Sequence, residues 1–142
     1  MKFIDIYFEY KKKYEEYIVL YLVGNFYQIL GEDSKIMNML FSYKIIEHAQ
    51  IEKVGFPYNS LEQVKKELNM KKINYLILEK EEGIIRIKKR KKFHENQYAS
   101  YLCKCQIYES KKRRIKQLEQ KLFLNLDHPE FEEIVGQMES LL

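Results

Sequence analysis

The sequence has 142 residues, enough for one domain with a buried core and too few for two domains of ordinary size. Hydrophobic residues make up 46% and charged residues 32%, the balance of a folded protein rather than a disordered chain. The net charge of +4 is too small to indicate a polyanionic partner by itself. The longest apolar run, at 17–23, is far shorter than the roughly 20 residues that cross a bilayer, and the N-terminus lacks a signal-peptide layout. We therefore expect a cytoplasmic protein with no membrane partner.

Hydrophobic periodicity divides the first 92 residues into helices and strands. Apolar residues three and four apart indicate helices, and short β-branched or aromatic runs between turn residues indicate strands. In chain order, the pattern predicts a helix at 3–15, strands at 17–23 and 26–30, a helix at 32–43, one or two strands within 43–56, a helix at 59–70, and strands at 73–79 and 83–89. This order indicates an α/β (α+β) domain, residues 1–92, with a mixed β-sheet flanked by helices.

The sequence changes character after Lys92. Pro and Gly are absent for more than 30 residues, and apolar residues recur every seven positions from Tyr101 to Leu122. This predicts a helix at roughly 95–125 that is too irregular for an autonomous coiled coil. A second helix is expected from Asp127, which resembles a capping box with Glu130. We expect residues 93–142 to form an antiparallel helical hairpin, with a dimerisation arm as the alternative.

Charge is distributed unevenly along the chain. Six of the seven residues in RIKKRKK at 86–92 are basic, as are five of the six in KKRRIK at 111–116. From Asp127 onward there are five acidic residues and no Lys or Arg. The chain therefore has two basic patches and an acidic end.

No pattern in the sequence indicates catalysis. It contains no G-x-x-x-x-G-K-[ST], H-E-x-x-H or G-x-S-x-G motif, and no suitably placed carboxylate pair. His48, His94 and His128 are scattered, and we assign them to the surface or to structural roles. Cys103 and Cys105 lie two residues apart without another Cys or a nearby His, so we expect idle thiols. We predict no enzyme activity, no metal and no cofactor.

Two segments resemble the N-terminal mismatch-recognition domain of MutS, known as domain I. The segment VGNFYQILGEDS at 23–34 resembles the GDFYE segment of that family, and VGFPYNSLEQVKKEL at 54–68 resembles its GIPYHA turn and following helix. The segments occur in the family's order. The flanking segments at 7–22, 73–80 and 84–89 also resemble the opening helix and the strands of that domain, so the resemblance spans about residues 5–90.

The resemblance implies roles for individual residues. In MutS a Phe and a Glu, two apart on one strand, enter the minor groove at a mispair; the matching positions here are Phe26 and Gln28. Alternate strand residues point the same way, so both side chains can reach adjacent points on DNA. The family's Asp is replaced by Asn25, and Leu22 stands where many members have Arg. Because Gln replaces Glu, we expect weaker discrimination between mismatched and paired DNA.

Each position also has a structural interpretation. Phe26 would then be a core aromatic and Gln28 a solvated strand residue. Lys/Arg runs are often solvated faces, but in a domain that resembles a DNA-binding one they favour phosphate contacts. The candidate phosphate contacts are Arg86, Lys88, Lys89, Arg90, Lys91, Lys92, Lys111, Lys112, Arg113 and Arg114.

The resemblance also implies a function. The connector, lever, clamp and ATPase of full MutS proteins are absent from this sequence, so it implies a stand-alone nucleic-acid-binding module, with DNA favoured over RNA. We expect it to bind mismatched or distorted DNA as an accessory subunit of a larger enzyme. Small MutS-like proteins encoded beside reverse transcriptases of diversity-generating retroelements suggest a reverse transcriptase or a repair enzyme as the protein partner. The alternative is a protein-interaction adaptor that keeps the fold but has lost mismatch reading.

Overall fold

A computed structural model describes residues 2–142. The elements in chain order are α1 (Phe3–Lys13), β1 (Ile18–Val23), β2 (Phe26–Leu30), α2 (Glu32–Phe41), β3 (Ile46–His48), β4 (Ile51–Pro57), a 3₁₀ turn (Tyr58–Ser60), α3 (Leu61–Met70), β5 (Tyr75–Glu81), β6 (Ile84–Lys91), α4 (Tyr98–Leu124) and α5 (Phe131–Leu141). The predicted order of helices and strands is confirmed. Within the described residues, no helix is both long and apolar enough to span a membrane.

The six strands form one mixed sheet in the order β3-β4-β2-β1-β5-β6. The neighbouring strands β1 and β5 are parallel, and every other neighbouring pair is antiparallel. A parallel pair needs a long crossover connection, which here includes β2, α2 and α3. The predicted mixed sheet flanked by helices is therefore confirmed.

The two faces of the sheet bury separate clusters of side chains. On one face, strand residues such as Tyr27 and Ile29 pack with residues of α2, α3 and the start of α4. On the other face, Leu30 and its neighbours pack against Tyr7 of α1. Since side chains alternate along a strand, Phe26 shares the α1 face with Leu30. Both clusters follow from strands that are apolar on both faces.

A buried carboxylate joins α1, β1, α2 and α4. Asp33 is fully buried, and it accepts hydrogen bonds from Tyr7 Oη at 2.5 Å, Lys11 Nζ at 2.9 Å, the Val19 N–H at 3.1 Å and Tyr98 Oη at 2.6 Å. A buried charge is costly unless it is paired and hydrogen-bonded, and these four donors meet that need. Burial, followed by the Asp33 charge, raises the pKa of both Tyr7 and Tyr98 well above the usual tyrosine value.

The chain forms two compact units that divide within α4, between Cys105 and Gln106. Tyr98 and Cys105 belong to the core of the first unit, so the first two turns of α4 are part of it. This division lies later than the change of character at Lys92. The second unit contains the rest of α4, a six-residue connection at 125–130, and α5. The two helices predicted after Lys92 are both present.

The predicted start of the last helix is wrong. The helix α5 begins at Phe131, and no side chain caps it. Asp127 lies in the preceding connection, where consecutive backbone turns link Asn125, His128 and Phe131. The Glu130 N–H donates to His128 Nδ1 at 3.1 Å, so an imidazole takes the place that a capping box at Asp127 would have filled.

Candidate nucleic-acid interface

A tight turn joins β1 to β2 at one end of the sheet. Gly24 has a φ of 65°, as a type II′ turn requires at its first central residue. The turn places Val23 opposite Phe26. The Asn25 carbonyl accepts a hydrogen bond from the Tyr58 N–H at 2.9 Å, which ties the turn to the segment after β4. The pairing of β1 with β2 and the hydrogen bond from Tyr58 therefore both fix the position of the hairpin tip.

Phe26 lies at this tip and is half exposed. Its relative exposure is 49%, compared with 2% for Tyr27, the next residue. Tyr27 stacks on Phe56 in the core with ring centroids 5.3 Å apart. Phe26 instead lies opposite Pro57 and beside the exposed residue Val23. The strand thus buries one aromatic side chain and presents the other, so Phe26 is not a core aromatic.

Gln28 lies on the same face as Phe26, two residues into the strand. It is partly buried and pairs with Gly55 of β4. Its Oε1 and Nε2 atoms lie 3.6 and 3.8 Å from the point that a Cβ on Gly55 would occupy. These are ordinary van der Waals distances, so the Gln28 amide lies against the backbone of β4 at Gly55.

The spacing of Phe26 and Gln28 suits two neighbouring base steps. Two strand residues span about 7 Å, and bases along one DNA strand are about 3.4 Å apart. An uncharged amide both donates and accepts hydrogen bonds. The arrangement presents a half-exposed aromatic ring and, beside it, a group that can both donate and accept hydrogen bonds.

The basic segment at 86–92 runs along β6, the edge strand of the sheet, and three of its side chains have acidic or hydroxyl partners. Arg86 and Lys88 lie 4.0 and 3.5 Å from oxygens of Glu81. The Arg90 Nε donates to Tyr17 Oη at 3.3 Å, and its guanidinium lies over the ring of Tyr17. These partners reduce the number of cations free to meet phosphates.

The three other basic residues of the segment have neither an acidic nor a hydroxyl partner among residues 2–142. Lys91 lies over the Phe93 ring with its Nζ 5.3 Å from the centroid. Lys89 and Lys92 are exposed, and among residues 2–142 neither has an ion-pair or hydrogen-bond partner. The sequence alone does not separate these lysines from the engaged residues, because the pairing of β6 with β5 and the approach of Tyr17 to Arg90 decide which residues have partners.

The hairpin tip and the basic strand are well separated. Three interstrand spacings of about 4.8 Å lie between β2 and β6. Lys91 is in register with Ile18 through β5, five residues before Val23 on β1. The separation from Phe26 is therefore roughly 20 Å. The first unit presents two groups of candidate contacts rather than one cluster.

The second basic patch belongs to the second unit. Lys111, Lys112, Arg113 and Arg114 are all exposed on α4. Successive helix residues are rotated by about 100°, so these four point around the helix rather than to one side. The Lys112 ammonium lies 4.4 Å from the Tyr108 ring centroid. The run of charge in the sequence is thus not a single continuous surface.

Sequence reasoning missed Tyr58 at the hairpin tip. Its relative exposure is 58%, and its backbone is bonded to the turn at Asn25. The available sign was its position directly after Pro57, where a strand ends. Exposed aromatic side chains at such a place favour stacking contacts.

The first unit is thus a mixed sheet that presents an aromatic and an amide side chain from its central hairpin. The family model for MutS domain I matches residues 1–100, and the chain therefore belongs to the MutS domain I family. Domain I of MutS recognises DNA and is not a catalytic domain. The match extends into α4, in agreement with the packing of Tyr98 in the first unit. A search of curated proteins found no match.

Proposed function

We propose that this MutS-like domain binds DNA at mismatched or otherwise distorted steps, with Phe26 as a wedge and Gln28 bonding an adjacent base edge. The observation that carries the proposal is the half-exposed Phe26 ring at the tip of a tied hairpin, in a member of the MutS domain I family. The hairpin holds the ring before DNA arrives, which lowers the ordering cost of binding.

Selectivity for distorted DNA follows from the cost of unstacking. An apolar side chain that enters a base step must separate the stacked bases, at a cost of a few kcal/mol in intact DNA. A mismatch has already weakened the pairing, so the same insertion costs less there. A stacked aromatic ring returns about 1–3 kcal/mol. The wedge therefore favours the mismatched step without reading its sequence.

Gln28 changes the electrostatics of the site relative to the family's Glu. An amide is not repelled by the phosphates, and it bonds either a donor or an acceptor on a base. We propose that this makes binding broader among mismatches. Asn25, exposed in the turn, supplies a second uncharged polar group next to Phe26.

Exposed lysines on β6 and directly after it supply sequence-independent affinity in this proposal. Phosphate contacts fix a protein on DNA but carry no base information. The exposed Lys89 and Lys92 are the best placed, since neither has an acidic partner among residues 2–142. Arg90 contributes less because it packs on Tyr14 and Tyr17.

We further propose that the domain acts with a larger enzyme. Recognition of a distorted step supplies no chemistry, so another protein must act on the DNA that this domain marks. The partner in this proposal is a repair enzyme or a reverse transcriptase, because either enzyme would act on the DNA that this domain binds.

Binding of the full chain to mismatched, matched and single-stranded DNA and to RNA, at two salt concentrations, tests the proposal. The wild type is expected to prefer mismatched duplex, and Phe26→Ala should weaken that binding by about 5- to 150-fold. Phe123→Ala is the matched control, since Phe123 is 74% exposed in the second unit. Equal wild-type affinity for matched and mismatched DNA, unchanged by Phe26→Ala, would contradict the proposal and favour the adaptor.

A further inference from the structure

The second unit has two helices whose apolar side chains are exposed or only partly covered. No side chain from Gln106 to Leu142 is buried. On α4, Ile115 and Leu118 are 59% and 43% exposed, and on α5 Ile134 and Leu141 are 42% and 84% exposed. A helix as short as the 11 residues of α5 is marginal in water without packing. Both stripes therefore require a partner.

The α4 stripe has basic edges. Ile115, Leu118 and Leu122 are spaced by three and four residues and so share one face. Lys111 and Arg114 lie one turn before Ile115 and Leu118, on the same side. One open groove of about 500 Å³, the α4 groove, is lined by Lys111, Arg114, Ile115, Gln117, Leu118 and Lys121. Arg113 lies two residues before Ile115 and points about 200° away from it.

The α5 stripe has an acidic edge. Phe131, Val135 and Met138 share one face at spacings of four and three. Glu132 and Glu139 are seven residues apart, which places them on the same side beside this stripe. Glu133 points to the back of the helix. The two stripes thus match in apolar character and are opposite in charge.

We propose that α5 of one copy packs on the α4 groove of a second copy, and that the second copy returns the same contact. Residues 106–124 have six basic and two acidic side chains, and residues 127–142 have five acidic and no Lys or Arg. Each unit is therefore complementary to itself, as a two-fold symmetric interface demands. Glu132 and Glu139 lie beside Lys111 and Arg114 of the partner copy. The exchange covers the stripe of both helices in both copies.

A second copy fits this surface better than DNA does. The acidic residues of 127–142 repel phosphates, and the apolar side chains in the α4 groove gain nothing from a phosphate backbone. Within one chain, Phe131, Val135 and Met138 of the α5 stripe are only partly covered, and Ile134 and Leu141 beside them are exposed. An apolar, acidic helix is the complement of the groove, and the chain itself carries one.

Charge exchange in the full chain tests the proposal by sedimentation equilibrium. The wild type is expected to form a dimer that dissociates on dilution. The double variants Glu132→Lys/Glu139→Lys and Lys111→Glu/Arg114→Glu should each weaken the dimer at least about tenfold, because like charges then face each other. Mixing the two variants should restore a dimer of one copy of each, since both contacts again pair opposite charges.

The control variants reverse charge on the back of each helix. Glu133→Lys and Arg113→Glu should leave the dimer unchanged, and circular dichroism should show equal helix content for all variants. A wild type that is monomeric at every concentration overturns the proposal. So does a mixture of the two double variants that stays monomeric, or a dimer that neither double variant weakens.

Discussion

Neighbouring aromatic residues on β2 have opposite environments. Tyr27 is buried, stacks on Phe56 and donates a hydrogen bond to Glu79 at 3.3 Å. Phe26 is half exposed on the other face. Alternation along the strand is enough to separate them, and it could be predicted from the sequence. The position of the hairpin turn determines that Phe26 lies beyond the buried part of this sheet face.

Replacing Phe26 and Phe56 by Ala, one at a time, should distinguish an exposed ring from a ring that packs in the core. Phe26→Ala is expected to change the free energy of unfolding by less than about 1 kcal/mol, because half of the ring is already in water. Phe56→Ala is the control, and it should cost about 3–5 kcal/mol because Phe56 is fully buried. Denaturant unfolding of both variants checks this. A Phe26→Ala variant as unstable as Phe56→Ala would make Phe26 a packing residue.

Tyr27 should make the protein less stable in alkali. Burial, and then the charge and hydrogen bond of Glu79, raise the pKa of Tyr27 from 10.0 to about 12. The folded chain therefore holds a proton that the unfolded chain loses above pH 10. The stabilisation is complete below pH 10 and is lost as the pH rises toward 12.

Unfolding free energies measured on both sides of pH 10 check this prediction. In the Tyr27→Phe variant the fall in stability with pH should be shallower than in the wild type, although Tyr7 and Tyr98 add their own dependence. An identical fall in both proteins would mean that the Tyr27 hydroxyl does not differ between the folded and unfolded chains.

At the scale of elements, β6 shows the limit of reading charge from sequence. The run at 86–92 looked uniform, but Arg90 packs on two tyrosines and Arg86 and Lys88 share Glu81. The fold decides these partners: Tyr17 is 73 residues from Arg90 in the sequence, and Glu81 lies on the strand paired with β6. The position of the strand itself, by contrast, was predicted from its β-branched residues after the turn at 81–83.

The exposed lysines on β6 and directly after it should determine the salt dependence of DNA binding. Replacing Lys89 and Lys92 by Gln is expected to weaken binding to all sequences alike and to reduce the slope of log K against log salt by close to one unit per lost contact. Arg90→Gln is the comparison, and it should reduce the slope less because its guanidinium is already engaged by Tyr17. Fluorescence anisotropy at several salt concentrations measures the slopes. Unchanged slopes in the lysine variant would assign this strand to a solvated face.

The packing of the start of α4 was also hidden from the sequence. Its first two turns belong to the first unit because Tyr98 reaches Asp33, a residue 65 positions earlier. Asp33 lies in the first turn of α2, where a carboxylate is favourable for local reasons alone. Its burial and its four donors depend on long-range packing, which no local pattern contains.

For the whole molecule, the order of elements and the mixed sheet were predictable, whereas the division into units and the partners of the charged residues were not. Local propensity and hydrophobic alternation determine the elements. The two compact units have different character: the first has a buried core and the exposed hairpin tip, and the second has apolar side chains that are exposed or only partly covered. We assign DNA recognition to the first unit and self-association to the second.

The central claim is that the Phe26 ring enters a distorted base step. A duplex with a fluorescent adenine analogue beside a mismatch reports this directly, because its fluorescence rises when the base is unstacked. Adding the wild-type protein should raise the fluorescence of the mismatched duplex and change that of the matched duplex little. Phe26→Ala, at concentrations that saturate the DNA, should bind without the rise. Saturating wild-type protein that leaves the fluorescence of the mismatched duplex unchanged, or an equal rise with Phe26→Ala, would contradict the account.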